Sequence, residues 1–282
     1  MTAQAANTDT QSTIKRVSNS EILDLIRYGD LRELGVMASA IKARLHPSKT
    51  TTFVVDRNIN YTNICWVDCK FCAFKRRLGE EGVYILSFEE IDKKIDELLE
   101  IGGTQILFQG GVHPKLKIEY YEELVGHIAK KYPMITIHGF SAIEINYIAK
   151  ISKLSIPEVL KRLQNAEILS DRVRDIIAPK KLDTKEWLEV HREAHKIGMK
   201  STATMMFGSV EDDEDIVAHW DCIRSLQDEF QGFRAFIMWS FQPNNTPLQK
   251  EFPNLQKASS NRYLRLLARS RIYLDNFMNI QS

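Results

Sequence analysis

Three of the four cysteines lie in one stretch, Cys65-Trp66-Val67-Asp68-Cys69-Lys70-Phe71-Cys72, which has the spacing C-x3-C-x2-C. Thiolates are the usual protein ligands of iron–sulfur clusters, and a complete 4Fe–4S site takes four of them. Three ligands on one loop leave one iron without a protein ligand, and that iron can bind a further molecule. The stretch therefore predicts a 4Fe–4S cluster held by Cys65, Cys69 and Cys72.

Two alternatives for the cysteine stretch stay open. Structural zinc needs four ligands, and Cys69 with Cys72 forms half of such a site. No second cysteine pair or His-x3-His follows at a suitable spacing. The other alternative is a loop of three buried, inert thiols. In a reducing compartment, clustered cysteines indicate metal binding more than a disulfide framework. Cys222 stands apart, and we expect it to be a buried or incidental thiol and not a catalytic one.

Length and composition favour one globular domain. A chain of 282 residues has the length of one large α/β barrel, and 44% hydrophobic residues can form a sizeable core. The 38 Lys and Arg balance the 37 Asp and Glu, so charge predicts no nucleic-acid or membrane partner. No long apolar run or secretory signal is present. We expect a cytoplasmic protein with a disordered lead-in over residues 1–17 and one domain over residues 18–282.

Predicted strands and helices alternate along the chain. The strands lie at residues 51–55, 105–109, 135–140, 200–207 and 233–241. Helices are predicted before Gly29 and at residues 31–44, 87–101, 120–131, 142–152, 184–197, 214–226 and 258–276. Alternation with short connections indicates a parallel sheet. No Gly-x-Gly-x-x-Gly turn follows the first strand, so a (β/α) TIM-like barrel is favoured over a doubly wound sheet. Functional residues are then expected at the C-terminal ends of strands.

Several motifs resemble one known group of proteins. Residues 58–63 leading into Cys65, and Phe71-Cys72-Ala73-Phe74, resemble the radical S-adenosylmethionine (SAM) group of deazaflavin (F420 precursor) synthases and futalosine-pathway enzymes of menaquinone biosynthesis. Residues 109–114 with Tyr120-Tyr121 resemble the same group. Residues 202–208, and residues 236–243 with Asn245 and Thr246, are most similar to its cyclic dehypoxanthine futalosine synthases. The resemblance covers nearly all of residues 18–282.

This resemblance implies an oxidoreductase with a 4Fe–4S cluster and SAM as cofactors. An adenosyl radical would abstract the ribose C4′ hydrogen of the small-molecule substrate, dehypoxanthine futalosine, and the carbon radical would close onto the substrate's aromatic ring. A one-electron donor such as flavodoxin or ferredoxin would be the protein partner. Aminofutalosine synthase and deazaflavin synthase remain alternatives within the group. A zinc-stabilised binding module is the non-enzyme alternative.

The resemblance also assigns roles to five residues. Phe71 would lie near the SAM adenine, and Gly110 with Gly111 would let a strand edge approach the SAM amino-acid moiety. The alternative for the glycines is a plain turn that ends the strand. Ser141 would be a polar contact at the reacting groups, or else a helix N-cap. Glu167 would hold the SAM ribose, or else lie on a solvated helix face.

Other polar residues are weaker candidates. Three are nominated as substrate contacts from their place at strand ends: Thr204, Gln242 and Thr246. His113 and His138 could accept the final proton, although a lone histidine is more often part of the hydrogen-bonded structure. His191 and His195 have a spacing that can bind metal on one helix face, with a packed or solvated face as the alternative.

The barrel is expected to be incomplete. Related sequences carry a strand and a Gly-rich turn before the position of Glu167, whereas here residues 160–165 run directly into Ala166-Glu167-Ile168. The fourth strand is therefore expected to be absent. The last strands, seven and eight, are also expected to be absent, because related sequences continue beyond Ser282.

Overall fold

Strands and helices alternate in a computed structural model that describes residues 16–48, 50–163, 178 and 180–281. Within those ranges the strands are β1 (Asp56–Asn60), β2 (Gln105–Gln109), β3 (Thr136–Gly139), β4 (Ser201–Phe207), β5 (Phe233–Ser240) and β6 (Asn279–Gln281). The helices are α1 (Asn19–Tyr28), α2 (Leu31–Leu45), α3 (Phe88–Glu100), α4 (Ile118–Lys131), α5 (Ala142–Ser152), α6 (Ile156–Arg162), α7 (Thr184–Lys196), α8 (Asp213–Phe230), α9 (Pro247–Glu251) and α10 (Ser260–Tyr273).

The strands form two parallel, three-stranded sheets. Their orders are β1-β2-β3 and β4-β5-β6, and every neighbouring pair is parallel. A side-chain hydrogen bond of 2.9 Å between His138 Nε2 and Thr202 Oγ1 joins β3 to β4. Parallel strands connected through helices confirm the predicted α/β fold of a partial TIM-like barrel.

Helix starts follow local side-chain chemistry. At α3, Glu90 N–H donates to Ser87 Oγ at 3.2 Å and Ser87 N–H donates to the Glu90 carboxylate at 2.8 Å, as the predicted capping box requires. The helix then buries Ile91, Ile95 and Leu98 on one face. That spacing places the three side chains on the stripe that packs against the sheet.

The first strand lies five residues later than predicted. Residues 51–55 are apolar and β-branched, yet they pair with no strand, and the side chains of Phe53 and Val54 are exposed. Backbone pairing with β2 begins at Asp56 opposite Gln105. Strand formation depends on pairing and burial more than on intrinsic preference, which explains the error. As a consequence β1 ends at Asn60, directly before the cysteine loop.

The expectations about missing strands have different outcomes. Residues 164–177 lie outside the described residues, so the predicted absence of a fourth strand falls largely there. The described residues between β3 and β4 form α5, α6 and α7. Beyond β5, the short strand β6 pairs in parallel with β5. When the fourth strand of a complete barrel is counted, β6 takes the place of strand seven, so the expected absence of strand seven was wrong in part. Strand β6 has only three residues, Asn279–Gln281, and a segment of that length shows no recognisable strand pattern in the sequence.

The two N-terminal helices pack against the second half of the chain. Arg269 caps the C-terminal end of α1 by donating to Leu25 O at 2.9 Å and Ile26 O at 2.8 Å. Arg16 pairs with Asp228 at 2.6 Å, and Val17 packs against the core. These two residues, assigned to the lead-in from sequence, therefore contact the domain. None of the helices described is both long and apolar enough to cross a membrane.

Candidate active site

The cysteine loop is held by backbone hydrogen bonds on both sides. Cys65 N–H donates to Arg76 O at 3.0 Å, and Trp66 N–H donates to Val112 O, which follows β2, at 3.2 Å. Within the loop, Cys72 N–H donates to Cys69 O at 3.1 Å. Backbone hydrogen bonds therefore hold the main chain around all three cysteines, in addition to any contacts of the side chains.

An ionic cluster shapes the turn between the first two cysteines. Asp68 adopts a φ of 67°, a left-handed conformation that Asp tolerates better than most residues. Its carboxylate pairs with Lys75 and, at 2.6 Å, with Arg77. Arg77 also donates to Trp66 O at 2.9 Å. These contacts fold residues 73–77 back over the loop.

The three thiols fit the donor set of a cluster. Cys69 is buried, whereas Cys65 and Cys72 are half-buried. Burial raises the pKa of the Cys65 thiol, and the nearby Cys72 and Glu144 also raise it. A thiol that binds a metal is deprotonated outright, so iron would reverse this shift. In the part of the chain that is described, no three His, Cys, Asp or Glu side chains converge on one metal ion. The thiolates of a cluster are spread over different irons.

Gly110 and Gly111 are required by space. A Cβ on Gly110 would lie 2.4 Å from Tyr61 Cε2, and a Cβ on Gly111 would lie 2.3 Å from Ile64 O. The end of β2 therefore lies directly against the segment that leads into Cys65. The two glycines therefore do more than end the strand in a turn, because each allows a backbone contact that a side chain would block. The predicted contact of the pair with SAM stays a prediction.

A buried carboxylate joins these elements. Glu144 is 2% exposed and accepts hydrogen bonds from Tyr61 OH, from Gly110 N–H at 3.1 Å, and from Ser141 N–H and Oγ at 2.7 and 2.6 Å. Burial raises the pKa of Glu144, while the hydrogen bonds from Ser141 and Tyr61 act in the opposite direction. Sequence reasoning missed this residue, although Ser141-x-x-Glu144 after a strand is a capping-box pattern.

The remaining predicted cofactor residues have different surroundings. Ser141 is the N-cap residue of α5, and its hydroxyl donates a hydrogen bond to the Glu144 carboxylate. This arrangement corresponds to the helix-cap alternative for Ser141. Phe71 is half-buried, and Lys181 Nζ lies 5.3 Å from the centre of its ring. Glu167 lies outside the described residues. The SAM contacts of all three stay predictions.

The loop after β5 contacts the cysteine loop. Leu248 N–H donates to Lys70 O at 2.9 Å, and Lys70 pairs with Glu251 at 2.7 Å. Thr246, nominated as a substrate contact, caps α9 by accepting from Gln249 N–H at 3.2 Å, and its hydroxyl donates to Pro243 O. The Gln242 amide donates to Ser240 O at 3.1 Å, close to where β5 ends.

Thr204 has a different environment from the other nominated residues. Its Oγ1 is buried on β4 and has no hydrogen-bond partner among the residues described. A buried hydroxyl without a partner is costly, and the nomination of Thr204 as a substrate contact stays a prediction. The nearby Thr202 on the same strand is already bonded to His138.

The histidines differ in what they could do. His113 Nδ1 accepts from Lys115 N–H and Leu116 N–H at 3.1 and 3.2 Å. In the neutral ring the proton is then on Nε2, so that His113 is a hydrogen-bond donor and not a ready base. Burial lowers the pKa of both His113 and His138.

His191 and His195 share one partner. Each ring lies 2.9 Å from Ser201 Oγ at the start of β4. The His191 ring also lies 3.8 Å from the Trp187 ring, centre to centre. Both imidazoles are buried, and burial lowers the pKa of His195 to about 4. These contacts support the alternative of a packed helix face.

Comparison with known proteins agrees with this site. The model of the radical SAM superfamily matches residues 59–223, and that of the CofH/MqnC C-terminal region matches residues 230–282. Cyclic dehypoxanthine futalosine synthase of Halalkalibacterium halodurans is 39% identical over 95% of this chain and 74% of its own length. The protein of the same name from Streptomyces coelicolor is 38% identical over 94% and 69%. Aminodeoxyfutalosine synthase of Thermus thermophilus is 38% identical over 95% and 74%.

Solved structures share the fold. The FeFe-hydrogenase maturase HydG of Carboxydothermus hydrogenoformans superposes with a TM-score of 0.73 at 18% identity, over 94% of this chain and 62% of its own. Methylornithine synthase superposes with a TM-score of 0.70 at 13% identity, over 94% and 75%. With its three-cysteine loop at the C-terminal end of β1, the chain belongs to the radical SAM superfamily, whose cofactors are a 4Fe–4S cluster and SAM.

Proposed function

We propose that the chain converts dehypoxanthine futalosine to cyclic dehypoxanthine futalosine in menaquinone biosynthesis. The ribose C4′ would lose its hydrogen atom to the 5′-deoxyadenosyl radical, giving 5′-deoxyadenosine, and would form a carbon–carbon bond with the substrate's own aromatic ring. The ring would regain aromaticity by losing one proton to solvent and one electron to a one-electron acceptor such as the oxidised cluster. The product is then two hydrogens lighter than the substrate.

The observation that carries this proposal is sequence identity along nearly the whole chain. The two relatives named for this reaction are 39% and 38% identical over 95% and 94% of the chain. The matched segments include the cysteine loop and the strands whose C-terminal ends would surround a substrate. The C-terminal match over residues 230–282 supports the same group of enzymes.

The cofactors define what the protein itself must do. When bound, the reduced cluster supplies the electron that cleaves SAM to methionine and a 5′-deoxyadenosyl radical. Cys65, Cys69 and Cys72 would hold the cluster, and Gly110 with Gly111 would admit the SAM amino-acid moiety. A one-electron donor such as flavodoxin or ferredoxin would reduce the enzyme.

Two side chains are suited to orient the substrate. The Thr204 hydroxyl has no partner among the described residues and could bond a substrate oxygen. His113, neutral and protonated on Nε2, could donate a hydrogen bond near the end of β2. Both roles involve binding and need no change of charge on the protein.

The test is mass spectrometry of an anaerobic reaction. Reconstituted protein is mixed with SAM, a strong one-electron reductant and dehypoxanthine futalosine. We expect 5′-deoxyadenosine together with a product two hydrogens lighter than the substrate, and neither with Cys69→Ala. Absence of the product despite formation of 5′-deoxyadenosine would refute the proposed substrate.

A second candidate is synthesis of aminodeoxyfutalosine. The relative of that name is 38% identical over 95% of this chain, which is nearly as similar as the first two. Cleavage of SAM that depends on the substrate of that enzyme, with aminodeoxyfutalosine as product, would favour this candidate.

A further inference from the structure

We propose that Glu144 is a positioning residue for SAM, because its carboxylate sets the place of the Gly110 end of β2 relative to the cysteine loop. The inference rests on the proposed SAM contact of Gly110 and Gly111. Glu144 itself need not touch the cofactor. It acts through the backbone and the ring that it holds.

The first step concerns the end of the strand ladder. Strands β1 and β2 are paired as far as Asn60 opposite Gln109, and Tyr61 N–H still donates to Gln109 O at 3.2 Å. The next amide, Gly110 N–H, faces the β3 side of the strand and donates to Glu144 Oε1 at 3.1 Å. On that side Phe140 N–H donates to Phe108 O at 2.9 Å, so the carboxylate binds the end of β2 where its pairing with β3 ends, and it sets the direction in which β2 leaves the sheet.

The second step concerns the Tyr61 ring. Its hydroxyl donates to the same oxygen, Glu144 Oε1, and its ring lies against Gly110 at the distance where a Cβ would collide. The ring is buried among Phe108, Tyr121 and Phe140. The hydrogen bond from its hydroxyl to Glu144 thus fixes the position of the Tyr61 ring against Gly110.

The third step concerns the number of donors. The other oxygen, Glu144 Oε2, accepts from Ser141 N–H and Oγ. Four donors from the ends of three strands then meet one carboxylate, which has about four lone-pair sites in its ionised form. An amide in this place would direct its own N–H groups toward two of those donors. The two hydroxyls can also accept, but the two backbone N–H groups, one on each carboxylate oxygen, cannot, so the site favours a carboxylate.

The link to the cluster runs through the second glycine. Gly111 N–H donates to Thr62 O at 2.7 Å, and the residue lies against Ile64 O, one position before Cys65. A shift of the β2 end would consequently displace the first cysteine of the loop relative to the SAM-binding edge. Buried groups that orient ligands in this way typically change affinity by about ten- to a hundredfold when mutated.

A helix cap alone is the competing explanation, and the chain offers a matched control. Glu90 forms the same Ser-x-x-Glu capping box at α3, where its carboxylate accepts from Ser87 N–H and its own N–H donates to Ser87 Oγ. Glu144→Gln and Glu90→Gln both remove one capping carboxylate. Tyr61→Phe keeps the ring and removes one of the two donors to Oε1, and we expect that variant to fold.

The experiment titrates SAM into reconstituted, reduced protein and follows the EPR spectrum of the cluster, with iron content and Tm measured in parallel. We expect Glu144→Gln to weaken SAM binding about tenfold or more at unchanged iron content, and Tyr61→Phe to weaken it less. Glu90→Gln should bind SAM as the wild type does. Wild-type affinity in both Glu144→Gln and Tyr61→Phe would overturn the inference, as would equal weakening in Glu90→Gln. No futalosine substrate is present, so the result does not depend on which substrate the enzyme uses.

Discussion

The backbone N–H of Leu248 donates a 2.9 Å hydrogen bond to the carbonyl oxygen of Lys70, which lies between Cys69 and Cys72. This bond joins helix α9, after β5, to the loop after β1, two segments 178 residues apart in sequence. Helix α9, which follows the second sheet, therefore supports the cysteine loop that follows the first.

Leu248→Ala should destabilise the protein and loosen the cluster. The side chain is fully buried, so its truncation is expected to cost about 2–5 kcal/mol of unfolding free energy. Iron should be lost faster to a chelator. Glu251→Gln removes the partly exposed ion pair with Lys70 and should cost less than about 1 kcal/mol. Chemical unfolding and chelation kinetics measure both, and equal effects of the two variants would contradict the prediction.

Replacement of any one cluster cysteine should remove the iron site. Cys69→Ala deletes a ligand, and we expect loss of the brown cluster chromophore and of SAM cleavage. Cys222→Ser is the matched control, since that thiol lies on α8 away from the cysteine motif. It should retain wild-type iron and sulfide. Stoichiometric zinc and no sulfide in the wild type would favour the zinc site instead.

Substitution of the two glycines by alanine should be costly, and more so at the second. At Gly110 the new methyl group would meet the Tyr61 side chain, whereas at Gly111 it would meet backbone atoms that cannot rotate away. Overpacking typically costs about 1–3 kcal/mol. Gly126→Ala, in the middle of α4 with open space around it, should instead stabilise by about 0.5–1 kcal/mol. Thermal unfolding of the three variants gives the order, and a neutral Gly111→Ala would refute the packing argument.

Stability should fall as the pH drops below about 6.5. Burial lowers the pKa of His195 to about 4 in the folded protein. Between these two values the unfolded chain binds a proton that the folded chain does not, so the stability present at higher pH is lost on acidification. At pH 5.5 this one group should cost about 1.4 kcal/mol. Urea unfolding at pH 5.5 and 7.5 should show a smaller difference for His195→Gln, and an unchanged pH dependence would contradict the assignment.

Elements specified by local pattern were predicted well. Strand β2 and helix α5 have the predicted limits, residues 105–109 and 142–152, because an apolar run ended by glycines and a capping serine are signals within a few residues. Strand β1 was misplaced, because its position depends on which residues find partners in β2. The assignment of Cys65, Cys69 and Cys72 as cluster ligands stays a prediction, and it rests on a local signal of the same kind, the spacing of three cysteines on one loop.

The amino-acid sequence by itself determined the chemistry of the site, since thiol spacing, capping residues and apolar runs act between near neighbours. Only the tertiary structure decided which distant groups complete the site. Glu144 meets Gly110 across 34 residues and Tyr61 across 83, and no local pattern encodes such a contact. Its four donors come from the ends of three parallel strands, which are brought together only when the sheet pairs and buries the carboxylate between them.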